Sequence, residues 1–94
     1  MSIVKKQKDI RTGSGTGFGT YQVVLLNDDH NTLEYVVMAL MNVFSHDEFM
    51  SVRVAMEAHK RGRSIAQVED EQSAVAHSGQ LGKMGIGSKV EKIG

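Results

Sequence analysis

The chain has 94 residues, which fits one small domain with room for two or three helices on a sheet but not for a second core. Its hydrophobic content of 40% and charged content of 23% are those of a folded domain, and a formal net charge of zero gives no strong summed attraction to nucleic acid or to an anionic membrane. Cysteine is absent, which removes disulfides, thiolate catalysis and cysteine zinc sites and fits a reducing compartment.

Residues 1–20 open with SIVKKQKDIR, locally basic through Lys5, Lys6, Lys8 and Arg11, and continue as TGSGTGFGT. This glycine, serine and threonine run carries high backbone entropy and offers little to bury, so residues 1–20 read as a flexible Gly-rich extension and residues 21–94 as the core domain. Gly13, Gly15, Gly17 and Gly19 match neither G-x-G-x-x-G nor a P-loop. No apolar run approaches the roughly 20 residues of a membrane span, and no secretory signal core is present, so a cytoplasmic location is the expectation.

The apolar run of Val23, Val24, Leu25 and Leu26 predicts a buried strand that stops on Asn27, Asp28 and Asp29. Asn31 and Thr32 are candidate caps for the helix that follows, with Glu34 three residues beyond Asn31 as in a capping box. Leu33, Val37, Leu40 and Phe44 then recur at helical spacing and predict a mostly buried first helix over 33–44. Ser45 to Glu48 repeats the start signal as S-x-x-E.

A second helix is expected from about Asp47 to Arg61, closed by Gly62. Phe49, Val52, Met56 and His59 form its apolar stripe, which sets His59 toward the core or a cleft beside it, while Arg53, Glu57 and Arg61 should pair on another face. Arg63 to Glu69 reads as a second strand carrying Ile65 and Val68. Asp70 should cap a short third helix through His77, the glycine-rich stretch from Ser78 reads as loop, and Lys89 to Ile93 as a last strand. The resulting fold class is α+β, a small three-stranded antiparallel sheet with two to three helices packed on one face.

Packing helices on one face would bring His59 near the strand end, with Asn27, Asp28 and Asp29 at the rim of a cleft and Leu33, Val36, Ala55 and Ala58 beneath. A carboxylate, an amide oxygen and a neutral imidazole all accept hydrogen bonds from an ammonium group, so such a rim suits a primary amine. The competing readings are an Asn-Asp-Asp turn bonding its own backbone and a core histidine. A metal site using Asp28, Asp29, His30 and His59 lacks any recognised ligand spacing, no catalytic set comes with its supporting groups, and no cofactor is implied.

The stretch YQVVLLNDDHNTLEYVV, the downstream His59 and the following KRGRSIAQV resemble ClpS, the adaptor family of bacterial ATP-dependent Clp proteases, without a gap from Tyr21 to about Val68. The resemblance implies a non-enzymatic, monomeric adaptor that binds N-degrons, proteins beginning with a bulky hydrophobic residue such as leucine, phenylalanine, tyrosine or tryptophan. It would deliver them to the N-terminal domain of a Clp AAA+ unfoldase of the ClpA or ClpC type. It implies that Asn27, Asp28 and His59 hold the α-ammonium group, with Asp29 beside them and Asn31 where a threonine is usual. Leu33 stands at the gating position of the side-chain pocket, and Val36, Ala55 and Ala58 at other lining positions. The extension would be fed toward the unfoldase. A docking module like the C-terminal domain of the ribosomal stalk protein shares the architecture and is the alternative; it needs an exposed basic helix face and no ammonium pocket.

Overall fold

The computed structural model describes residues 20–94, so the reading of residues 1–20 as a flexible extension lies outside the described residues except at Thr20. The elements run β1 (Tyr21–Leu26), α1 (Leu33–Phe44), α2 (Glu48–Arg61), β2 (Arg63–Glu69), α3 (Glu71–Lys83) and β3 (Ser88–Lys92). The sheet is three-stranded in the order β2-β1-β3, with β1 central and antiparallel to both neighbours.

Central placement explains why β1 is the most apolar strand: Val23, Val24 and Leu25 are all buried. Val23 and Leu25 join the core with Val36, Leu40 and Phe44 of α1, Val54, Ala55 and Ala58 of α2, and Ala74 and Leu81 of α3, so the helices cover one sheet face. Val24 is 0% exposed yet lies outside that core cluster. Arg63, opposite Leu26, and Glu91, opposite Gln22, are paired at 2.8 Å, so the ion pair reaches from one edge strand to the other across β1 on the face that carries Val24. Gln22 Nε2 donates to the same Glu91 carboxylate at 2.9 Å. The Arg63 and Gln22 bonds hold Glu91 down to about 2.

Several sequence expectations are corrected. On α1 the buried residues are Val36, Ala39, Leu40 and Phe44, while Leu33, Met38 and Met41 are exposed. The helix is therefore half-exposed along an apolar face, because the sheet can take only one stripe of it. On α2 the stripe of Phe49, Val52 and Met56 points away from the core, with Phe49 76% exposed. Ser51, Val54, Ala55 and Ala58 face inward instead, a mostly small set that lets the helix lie close to Ser64 and Ala66 of β2. Ser64 Oγ donates to the Val54 carbonyl at 2.7 Å across that contact. Ile65 and Val68, the large apolar residues of β2, lie exposed.

Capping also differs. Thr32 alone caps α1, accepting from Tyr35 N at 3.1 Å, and Asn31 is used elsewhere. Ser45 ends α1 at φ 59°, and Asp47 caps α2, accepting from Met50 N at 2.8 Å. The third helix continues past His77 to Lys83 through Gly79 and Gly82, because Leu81 is anchored in the core and packing outweighs glycine's poor propensity. Ion pairs among the described residues join Arg63 to Glu91 and Lys89 to Glu91, and His77 Nδ1 is hydrogen-bonded to the Glu69 carboxylate at 2.7 Å, so the expected Arg53, Glu57 and Arg61 ladder does not form.

Ser51 is fully buried and its hydroxyl has no partner among the described residues. An unmade buried hydrogen bond costs about 1–3 kcal/mol. Ser51→Ala should therefore stabilise the domain by about 1 kcal/mol, read as a rise in melting temperature of about 4–8 °C.

Candidate functional site

The site is organised by main-chain bonds at the end of β1. Asn27 N donates to the Gly62 carbonyl at 2.9 Å and Leu26 N to the Gly87 carbonyl at 3.1 Å, so the strand end is held from both sides. Gly62 is the C-cap of α2 at φ 92°, a left-handed conformation that suits glycine, and its N–H closes on the Ala58 carbonyl at 2.9 Å. That cap places the last turn of α2, with His59, against the residues leaving β1.

The loop from Asn27 to Thr32 is ordered by Asp28. Its Oδ1 accepts from His30 N at 2.7 Å and Asn31 N at 3.2 Å, and its Oδ2 accepts from Asn31 Nδ2. Asn31 Nδ2 also donates to the Gly85 carbonyl at 2.9 Å, tying the loop to the turn before β3. The His30 main-chain N–H and the Asn31 side chain are the main causes that hold the Asp28 carboxyl below the usual range, so it is anionic at neutral pH. The Asn-Asp-Asp turn reading is thus correct for Asp28, and the turn fixes the charge at one place.

Beside this loop lies a cavity of about 420 Å³. Asn27, Asp28, Asp29 and Asn31 line it from the loop, Leu33 and Val36 from α1, and Ala55, Ala58 and His59 from α2. The structure therefore brings to one cavity every residue read from the sequence as a candidate for the amine site. Val36, Ala55 and Ala58 are buried in its wall, Leu33 stands 41% exposed at its lip, and Asn27, Asp29 and His59 are exposed at its mouth. Leu25, Leu26 and Met56 also line it and were missed. Met56 carried a signal, since it precedes His59 by one helical turn; Leu25 and Leu26 read only as strand core. His30 is not among the lining residues, and among the described residues no group of three or more His, Cys, Asp or Glu side chains is placed to hold a metal.

The arrangement is a polar, acceptor-rich mouth carrying a fixed negative charge above an apolar floor. Such a lining suits a cationic head joined to an apolar side chain.

Comparison with known proteins agrees in family. The family model described as ATP-dependent Clp protease adaptor protein ClpS matches residues 18–87. This chain belongs to the ClpS family. An ATP-dependent Clp protease adapter protein ClpS of Synechococcus elongatus is 40% identical over 72 residues, covering 76% of either chain. Another, of Leptothrix cholodnii, is 42% identical over 48 residues, covering 51% of this chain and 42% of the relative's length. Among solved structures, Agrobacterium tumefaciens ClpS2 bound to L-phenylalaninamide superimposes with a TM-score of 0.74 at 31% identity, covering 80% of this chain and 98% of that one. The fold and the adaptor family read from the sequence are therefore those of this chain, and the ribosomal-stalk alternative falls away.

Removing the Asn31 amide should let the Asp28 carboxyl titrate closer to its ordinary 3.8, measured by NMR on Asn31→Ala. A lowered folded-state value stabilises above the unfolded value and is lost as pH falls through the folded one. The variant should accordingly be less stable than wild type at neutral pH, and the part of that deficit owed to Asp28 should fade below pH 3.8.

Proposed function

We propose that this chain is a non-enzymatic adaptor that binds the free N-terminus of proteins beginning with a bulky hydrophobic residue and delivers them to a Clp AAA+ unfoldase. The observation that carries the reading is the meeting of Asn27, Asp28 and His59 at the mouth of one cavity floored by Val36, Ala55 and Ala58. The α-ammonium group has three donors and no acceptor, which matches an amide oxygen, a carboxylate and a neutral imidazole. The first side chain would enter the apolar cavity past Leu33. Support also comes from the ligand of the Agrobacterium relative, a free amine with an aromatic side chain and no carboxylate. The proposed delivery step runs to the N-terminal domain of a ClpA- or ClpC-type unfoldase in the cytoplasm, and membership of a Clp protease adaptor family supports it.

Affinity should be modest. Burying a leucine or phenylalanine side chain contributes about 1.5–3 kcal/mol and each charge-assisted hydrogen bond about 1.5–3 kcal/mol. After association costs this leaves roughly micromolar binding.

Fluorescence anisotropy with a leucine-initiated peptide should show this binding, and acetylating the peptide should abolish it by removing the charge and two of three donors. His59→Ala should weaken binding by roughly tenfold or more while leaving the melting temperature within a few degrees, since His59 is exposed. Equal binding of the free and acetylated peptides would refute the amine-receptor reading. Asp28→Ala is the poorer probe, because Asp28 also orders the loop.

A further inference from the structure

The two edges of the sheet are not alike. β2 is interrupted by a register shift opposite Val23 and Val24, and its Ala66 carbonyl accepts from His46 Nε2 at 2.7 Å, so that edge is bent and partly occupied. β3 runs against β1 without a shift from Ser88 to Lys92, and no strand among the described residues pairs with its other side. Leu26 N donates to the Gly87 carbonyl and Ile93 N to the Thr20 carbonyl, so positions 87 and 93 turn their main-chain groups toward β1. Strand alternation does the same for Lys89 and Glu91, and turns the N–H and C=O groups of Ser88, Val90 and Lys92 to the open side.

We propose that β3 pairs antiparallel with β3 of a second copy about a two-fold axis at Val90, making one six-stranded sheet from two chains. An isologous contact of this kind needs a self-complementary strand. Two-fold registers that pair two or more of the open residues are those centred on Lys89, Val90 or Glu91. Centring on Lys89 sets two ammonium groups face to face, and centring on Glu91 sets two carboxylates. With Val90 at the centre, each Lys89 stands opposite Glu91 of the second copy, twice by symmetry. In that register Val90 faces Val90 as a hydrogen-bonded pair and Ser88 faces Lys92, which uses the open N–H and C=O of all three residues in both copies. The Lys89 and Glu91 pairs fall at the closer, non-hydrogen-bonded positions, where Cα atoms are about 4.5 Å apart.

Side chains supply the same fit. Lys89 Nζ lies 3.3 Å from Glu91 Oε2, so the two stand on one face, and Arg63 and Gln22 hold the Glu91 carboxylate in place from β2 and β1. A second copy therefore meets an ordered row of opposite charges. Edge lysines ordinarily keep foreign strands away, and these would still do so for a strand without acids at matching positions. The cavity at the end of β1 has no lining residue on β3, so a dimer carries two cavities, neither built from the contact. Five residues a side make a small contact, at the weak end of protein interfaces below about 1,200 Å². Dimerisation is accordingly expected at about 0.1–1 mM, and the monomer implied by the family resemblance is the dilute form.

The test is sedimentation velocity on the full chain from about 20 μM to 2 mM, which should show a monomer–dimer equilibrium that about 0.5 M salt weakens several-fold. Lys89→Glu and Glu91→Lys should each abolish the dimer, since each sets like charges opposite one another in all three registers. Their equimolar mixture should associate again, because opposite charges then face across the pair. Amide hydrogen exchange on wild type needs no variant: at about four-fifths dimer, Ser88, Val90 and Lys92 should exchange about fivefold more slowly than in dilute solution, while Lys89 and Glu91, already bonded to β1, change little. A chain that stays monomeric throughout the range overturns the pairing, as does a mixture that fails to associate although both variants keep the wild-type melting temperature. A dimer that leaves the Ser88, Val90 and Lys92 amides unchanged places the contact elsewhere, such as the exposed apolar face of α1 and α2, and overturns it too.

Discussion

One main-chain hydrogen bond holds the candidate site together, that from Asn27 N to the Gly62 carbonyl. It joins the point where the central strand ends to the point where the second helix ends, two places separated by 35 positions in the sequence. It extends the ladder that pairs Leu26 with Arg63, so the His59 turn and the Asp28 loop are neighbours through the main chain and not through side-chain packing alone. With it, Asn27 is fixed by its own backbone against the α2 cap. The left-handed Gly62 is what lets the helix stop there and turn its carbonyl toward the strand.

The second constraint is small size at the α2–sheet contact. Ser51, Ala55 and Ala58 face Ser64 and Ala66, so the helix sits close to β2. The bulky apolar residues of α2 are displaced outward in consequence, which leaves Phe49, Val52 and Met56 at or near the surface. The same smallness opens the cavity, since a larger side chain at Ala55 or Ala58 would fill space that now belongs to it. An apolar stripe on the outside and an apolar-floored cavity are two results of one choice of residues.

This also explains what was legible in the sequence. Element order, the central strand and the meeting of the candidate residues could be read, because they depend on strong local signals: an uninterrupted apolar run, Thr32, the S-x-x-E run from Ser45 and Asp70 before helices, and Gly62 after one. The face of α2 could not. Phe49, Val52, Met56 and His59 recur at helical spacing, and so do Ser51, Val54, Ala55 and Ala58; hydropathy favours the first set, while packing distance selects the second. Periodicity sets His59 on a stripe facing the core, whereas it lines the mouth of the cavity from an exposed position at the helix end. The third helix outruns its expected end at His77 for a related reason, since glycine propensity is local and the burial of Leu81 is not.

In Asp28 a structural role and, on the proposed reading, a recognition role fall to one side chain. Three donors from His30 and Asn31 converge on its carboxylate, and Asn31 is itself anchored to the Gly85 carbonyl. Those bonds leave the group charged and narrow its freedom, so little ordering remains for an arriving cation to impose. They also occupy lone pairs, so on the proposed reading Asp28 would supply field and one remaining acceptor position, while Asn27 and His59 supply the other direct bonds. A binder built this way gains selectivity for an amine from fixed geometry rather than from the number of contacts, and its loop and its ligand preference cannot be changed independently.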